Sequence, residues 1–469
     1  MTCGAGHGAP PLLSLPPRRR HLPRMTSRRR FLASAAAASA ASLAVSAALA
    51  ADEAPVALNA SRPTSLEPLP PPPAGTPEQV AQDEAYWRTV AAQYQVLDGT
   101  TNLEAGFFGM MAAPVLAAYH QHIDRVNRAS SYFARREYAP FVRTARERVA
   151  QALGARPTEI AFSRGATEAL QALIGQYNRV KAGDTVLYAD LDYNAMQWAM
   201  NALAARCGAT VARFDIPEPA TRENVLEAYE AALDANPRTR LLLTTHCNNK
   251  TGLILPVKEI VALARARGVD VVVDAAHSFG QVPLSLADLG ADFVGVNLHK
   301  WIGAPVGAGV LYIREGRLDA IDRAHADESA PLTSIDSRIH TGTTHFATVM
   351  TIPDALDFQE QIGIANKSAR LRYLRDRWAV PARGIAGVDI LTPDEPGMVG
   401  AITAFRLHGR GDRASNQAIT KRLLDEFRLF TFYRTGLARG DCVRVTPALY
   451  NSAADADRMV EALRVMARA

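Results

Sequence analysis

From about residue 78 onward, short uninterrupted apolar runs alternate with amphipathic stretches of helical period. The runs suited to strands buried on both faces are 160–163, 185–188, 210–214, 240–245, 269–274, 293–296 and 309–313. Between them lie 167–177, 195–205, 224–233 and 257–267, with apolar residues three and four apart. Strand–helix alternation sustained over roughly 150 residues predicts an α/β fold, a right-handed, mostly parallel seven-stranded sheet with helices on both faces. After Thr348 the texture shifts to long helical patterns with few strands, clearest at 402–406, 416–427, 442–446 and 453–467. That predicts a second, smaller C-terminal α+β domain. There is no internal repeat. Open α/β sheets bind ligands beyond the carboxyl ends of their strands, so the polar residues ending these runs are where chemistry is expected.

The first 50 residues follow another pattern. Ser27-Arg28-Arg29-Arg30-Phe31-Leu32 opens an apolar stretch rich in Ala and Ser, which closes on Ala48-Leu49-Ala50, small residues of the kind a signal peptidase accepts. Paired arginines before a mild apolar region resemble a twin-arginine signal. Met25 is a second candidate start. The Ala/Ser composition argues against a transmembrane anchor. Residues 51–82 are Pro-rich, including Pro70-Pro71-Pro72-Pro73, and read as an extended linker. The expected organisation is a twin-arginine signal peptide at 1–50, the linker at 51–82, a large α/β domain with an N-terminal segment at 83–347 and a small domain at 348–469. The implied partner is the twin-arginine export machinery, and the implied location is the periplasm, with no membrane attachment after cleavage.

Charge and cysteine content remove alternatives. The formal charge is +5, but residues 1–50 hold seven arginines and no acid, leaving −2 for the rest. Nucleic acid is therefore not an expected partner. Cys207, Cys247 and Cys442 lie beyond the leader with no C-x-x-C spacing, so neither a disulfide framework nor a metal site is indicated. Each reads as a buried small hydrophobe.

Lysine is scarce: Lys181, Lys250, Lys258, Lys300, Lys367 and Lys421 are the whole set. Five read as turn residues or as solvent-facing positions on helices. Lys300 differs, because it follows the run Phe293-Val294-Gly295-Val296-Asn297 and stands between His299 and Trp301. An amine at a strand end in partly apolar surroundings can lose its proton near neutral pH and attack a carbonyl. Val271-Val272-Val273-Asp274 ends a buried strand in a carboxylate, which needs either a cationic partner or a helix-capping role. Gly165-Ala166-Thr167, between a strand and a helix, offers N–H groups and a hydroxyl to an anion.

Gly-Ala-Thr, Asp274-Ala275-Ala276-His277 and His299-Lys300-Trp301, each at a strand end and in this order, resemble the aminotransferase class V family of fold-type I pyridoxal phosphate enzymes. The resemblance spans about 83–469 and is strongest over 271–313. It implies pyridoxal 5'-phosphate as cofactor, held as a Schiff base by Lys300, which then shuttles the proton at Cα. It implies that Asp274 pairs with the ring nitrogen, that His277 sits near the ring hydroxyl, and that Ala166, Thr167, Asn297 and His299 hold the phosphate. Thr343 matches a position that reaches the phosphate of a second subunit, implying a homodimer. Tyr193 is placed over the ring face, with Asp192 as the other candidate. Asn249 and Arg444 match substrate-binding positions, Arg444 taking the α-carboxylate through its fork.

The departures from the family bear on activity. No cysteine lies in 431–441, where the desulfurases of the family carry their nucleophile, and Cys442 sits in an apparent strand, so desulfuration is not expected. Asn102-Leu103-Glu104-Ala105-Gly106-Phe107-Phe108-Gly109 resembles the corresponding segment of isopenicillin-N-epimerase-like members, a branch that includes exported enzymes tailoring peptide siderophores. Thr344 and His345 replace the Arg-Asp often found after the Gly-Thr, so side-chain specificity does not transfer. The expected activity is at Cα of a free or peptide-borne amino acid, by epimerisation or transamination. A lyase or oxidative decarboxylase acting on a peptide product shares the same first steps. A catalytically inactive cofactor-binding protein would be expected to lack Lys300, Asp274 or Arg444.

Overall fold

The computed structural model describes residues 68–325 and 327–468. The expected signal peptide and the linker through residue 67 lie outside the described residues. All seven apolar runs form strands of one sheet: β1 (Ile160–Ser163), β2 (Thr185–Ala189), β3 (Thr210–Phe214), β4 (Thr239–Thr245), β5 (Asp270–Asp274), β6 (Phe293–Asn297) and β7 (Gly309–Ile313). Their order is β1-β7-β6-β5-β4-β2-β3. Pairing is parallel from β3 through β6, while β7 runs antiparallel to both β6 and β1. One expectation needs correction. β3 is an edge strand with Val211 exposed, not a strand buried on both faces, because only β2 pairs with it.

Alternation along the central strands divides the core into two layers. Leu241, Leu243, Val272 and Phe293 pack on one side with Leu170, Leu173, Met196 and Met200. Those last four come from α1 (Ala166–Gly175) and α2 (Asn194–Cys207). Leu242, Val271, Val273 and Val294 face the other side, against Val225 and Tyr229 of α3 (Arg222–Ala235) and Ile260 and Val261 of α4 (Val257–Ala266). Each such side chain contributes about 1.5–3 kcal/mol by leaving water. α1 lies close on β6: a Cβ at Gly295 would come within 2.5 Å of Leu170 Cγ. That contact fixes where the N-terminus of α1 points.

The C-terminal part adds an antiparallel sheet of order β10-β11-β9-β8, from β8 (Val388–Ile390), β9 (Thr403–Leu407), β10 (Phe432–Arg434) and β11 (Cys442–Val445). Trp378 of α5 (Ile364–Ala382) and Met459 and Leu463 of α6 (Ala453–Met466) pack on Phe405, Val443 and Val445. The end of the expected linker is not extended. Pro77–Gln82 is a helix, started by a capping box at Thr76 with Pro at its first turn, and Ala81 O accepts from Arg370 of α5. Further on, the N-terminal segment runs across the C-terminal sheet. Thr101–Asn102 pairs in parallel with Leu429–Phe430, Glu104 bridges Thr446, and Gly109 N–H donates to His299 O at 2.8 Å.

Candidate active site

The carboxyl ends of β4, β5 and β6 and the N-terminus of α1 open on one cavity of about 550 Å³. Of the residues expected at the site, Ala166, Thr167, Tyr193, Asn249, Asp274, His277, Asn297, His299, Lys300 and Arg444 all line it. Thr343 does not. It is exposed in a loop whose neighbours Thr341, Gly342 and Thr344 line a separate hollow with Tyr138, so any role at the cavity needs a second chain. Asp192 turns into the protein, where its carboxylate accepts from Thr245 Oγ1 at 2.7 Å and Ala189 N at 2.8 Å, while Tyr193 faces the cavity.

Lys300 leaves β6 on a turn gripped from several sides. Its Nζ lies 2.8 Å from His277 Nε2. Burial pulls the amine down to about 8; Asp274 opposes this, while Arg444 and Arg434 add to it. Burial likewise holds His277 well below the usual histidine range, with Lys300 adding to the effect, so the ring is neutral. Trp301 Nε1 donates to His277 Nδ1 at 3.4 Å. An indole N–H can only donate, so the single imidazole proton sits on Nε2 and points at Lys300. Above its pKa of about 8, Lys300 accepts it through the lone pair of the free amine. Behind the turn, Lys367 Nζ donates to Trp301 O and to Gln359 Oε1, and Gln359 Nε2 donates to Ile302 O. Lys367 and Lys250 are both buried, which corrects the reading of them as turn or surface residues. Their amines are spent on backbone carbonyls and, for Lys367, the Gln359 amide, and neither lines the cavity.

At the other end, Asn297 Oδ1 accepts from Ala166 N at 2.6 Å, which leaves the Thr167 N–H and hydroxyl as the outward donors of this turn. His299 Nδ1 bonds Ala308 O at 2.8 Å, so Nε2 is left for the cavity. Gly165 keeps this corner open: a Cβ would stand 3.1 Å from both Asn297 Oδ1 and His299 Cε1, and those side chains would have to shift to admit it.

These residues fit pyridoxal phosphate on the structure's own terms. Gly165 leaves a cradle beside the hydroxyl and N–H groups at a helix N-terminus, which suits a phosphate. Asp274 is buried, its carboxylate pushed up by burial, with Ala276 N as its hydrogen-bond donor and no ion pair among the described residues, which suits a protonated ring nitrogen. Asn249 Oδ1 is buried without a partner. When bound, the cofactor supplies a carbonyl for a primary amine and a ring that withdraws electrons from Cα.

Several lining residues escaped the sequence reading in this role, among them Arg434, Gly106, Phe107, Gln171 and Thr245. Arg434 joins the site because β10 pairs with β11, a register that no local pattern announces. Glu104, two residues before Gly106 along the chain, bonds both Arg434 and Arg444.

An α/β sheet presenting a lysine, a buried aspartate and an anion cradle defines a pyridoxal phosphate enzyme of fold type I. The aminotransferase class-V profile matches residues 111–424, and the chain belongs to that family, with pyridoxal 5'-phosphate as cofactor. It is 31% identical over 405 residues to isopenicillin N epimerase of Amycolatopsis lactamdurans, covering 81% of this chain and 99% of that protein. It is 28% identical over 370 residues to a probable cysteine desulfurase of Vibrio cholerae, covering 74% and 87%. Among solved structures, a C-DES mutant with glycine covalently linked to its PLP cofactor superposes with a TM-score of 0.69 at 21% identity, covering 79% of this chain and 98% of that one.

Proposed function

We propose that this enzyme acts at Cα of an amino acid, free or peptide-borne, in the manner of an epimerase or aminotransferase. One observation carries the reading: a single cavity holds a lysine whose amine is pulled down to about 8 together with an arginine fork. Arg444 gives its Nε–Nη2 edge to Glu104 and one Nη1 hydrogen to Asn249 O at 2.7 Å, so one N–H on each of Nη1 and Nη2 is left for a carboxylate. A substrate anchored there presents its Cα toward the cofactor and Lys300. With its pKa drawn down to about 8, Lys300 has a free-amine fraction that grows just above neutral pH, and in that form it takes the α-proton and returns it, either to Cα or to the cofactor. The relatives that are isopenicillin N epimerases support the epimerase arm.

Desulfuration is not part of the proposal. The segment 435–441 between β10 and β11 contains no thiol. It is also tethered: Ala438 N donates to Asp190 Oδ2 at 3.1 Å and Arg439 Nη1 to Glu218 O at 2.8 Å. Cys247 and Cys442 are fully buried, and burial pushes both thiols up to about 12. The proposal also keeps twin-arginine export to the periplasm and a homodimer in which Thr343 serves the neighbouring site.

Proton NMR in D2O with a panel of amino acids tests the reading, since Cα chemistry washes out the α-proton signal. Chiral and keto-acid analysis of the same samples separates epimerisation from transamination. Lys300→Ala should lose both the cofactor's bound absorbance and turnover while retaining the fold. An unchanged spectrum in that variant would overturn the assignment of Lys300.

A further inference from the structure

The register between β10 and β11 sets Arg434 opposite Cys442 and Phe432 opposite Arg444. Arg434 and Arg444 therefore project from one face of the sheet as diagonal neighbours. Between them is Glu104, buried, whose carboxylate accepts from Nη2 of both arginines and from Nε of Arg444 at 3.3 Å. One carboxylate neutralises one guanidinium. The group thus keeps one net positive charge in a place where an uncompensated charge is costly.

Donors are left over as well. Arg434 Nε is buried without an acceptor, and its Nη1 reaches only Tyr433 O, at 3.4 Å. A buried N–H with no partner costs about 1–3 kcal/mol, so it marks a position that a ligand completes. The arrangement is also stiff. A Cβ at Gly106 would come within 2.7 Å of Arg444 Cζ, so the backbone lies flat against that guanidinium, and Arg434 stacks on Phe432 at 5.1 Å.

We propose that Arg434, Arg444 and Glu104 form one clamp for a single carboxylate, with Arg434 as the second carboxylate ligand and Glu104 as the counter-charge that excludes a second anion. The inference rests on the Cα reading only in taking that carboxylate to be the substrate's α-carboxylate. It narrows the substrate class to amino acids, or chain-terminal residues, with a free α-carboxylate and an uncharged remainder near the clamp. A dicarboxylate would bring two negative charges to a group with one positive charge to offer. Without Glu104 the two guanidiniums would match it.

Simple acids that lack an amine test the clamp without any turnover. Propionate and succinate are titrated into the holoenzyme by calorimetry, with the cofactor's absorbance followed in parallel. The expected result is a preference for propionate over succinate of about tenfold or more in the wild type. Arg434→Met should weaken propionate binding by a similar factor, with Arg434→Lys in between. Glu104→Gln should raise succinate affinity relative to propionate about tenfold, and Glu104→Gln combined with Arg434→Met should bring the preference back toward propionate. Wild-type propionate affinity in a folded, cofactor-loaded Arg434→Met enzyme would overturn the proposal, as would an unchanged ratio in Glu104→Gln. If Glu104→Gln does not fold, Arg434→Met and Arg434→Lys decide. Failure of α-proton exchange alongside normal propionate selectivity sinks the Cα reading and leaves the clamp; exchange without selectivity does the reverse.

Discussion

Trp301 is two bonds of a network away from the reactive amine, and replacing it with phenylalanine isolates one term. The substitution keeps most of the buried ring and removes the N–H that reaches His277 Nδ1 at 3.4 Å. His277 is then free to carry its proton on either nitrogen. With the proton on Nδ1, Nε2 can accept, and the contact at 2.8 Å stabilises Lys300 as an ammonium instead of a free amine. The sign follows: the lysine's pKa rises from about 8 toward its ordinary value. A hydrogen bond of this length lies at the weak end of a range of about 0.5–1.5 kcal/mol. At about 1.36 kcal/mol per unit, the rise should be about 0.4 unit. Below the midpoint, the fraction of free amine then falls about two- to threefold. The assay is the rate at which the cofactor-free enzyme captures pyridoxal phosphate, measured by absorbance from pH 6.5 to 10 for both proteins, since only the free amine attacks the carbonyl. A midpoint that stays put or moves down in Trp301→Phe would refute the tautomer argument.

Other outcomes follow from the same framework. Burial pulls Lys367 down to about 7, so between that pH and the ordinary lysine range the unfolded chain holds a proton that the folded chain has lost. Stability must therefore rise with pH across this window, and urea midpoints at pH 7 and pH 9 should show a smaller rise in Lys367→Met than in the wild type. In Gly109→Ala the new methyl would sit 1.7 Å from Lys300 O, forcing the N-terminal segment off the lysine turn; calorimetry should show a loss of about 1–3 kcal/mol and a lower melting temperature. Gly165→Ala crowds Asn297 and His299, and equilibrium dialysis should find pyridoxal phosphate held about tenfold less tightly, a change of about 1.4 kcal/mol.

The central sheet was legible because strands buried on both faces are written as unbroken apolar runs. All seven runs became strands, with ends shifted by a residue at most. The polar residues that end them, Asp274 and Asn297, fell where strand-end chemistry is expected. What stayed hidden depended on distant pairing or on weak patterns. The helix Ala113–Arg136 is an exception: its apolar residues keep a helical period, yet it went unread, and it buries Val115 and Phe133 while leaving Ile123 and Tyr132 exposed. Arg434 looks like one more arginine until β10 and β11 are set in register. Lys250 and Lys367 looked like surface residues because the carbonyls that satisfy them, of Asp190 and Trp301, lie 60 and 66 positions away in the chain. Cys207 was expected to be buried and is only half-buried, at the last turn of α2 where the helix leaves the sheet.

The bond from Glu104 to Arg444 spans 340 positions. The cavity's floor belongs to the middle of the chain, yet its Arg444 side is stitched from segments that lie before and after the central sheet. Loop closure over such a span costs little more than over half of it, about 0.6 kcal/mol per doubling, so distance is no thermodynamic obstacle. Its effect is on timing. A chain still being made has β5, β6 and Lys300 well before Arg444 exists, and Glu104 must wait, unpaired, for the final strand to emerge. Completion of this pocket thus waits on β11, the last strand of the C-terminal sheet. A chain cut before β11 would possess Lys300 and Asp274 and still lack Arg444, so Glu104's bond to it reports that the C-terminal sheet has formed.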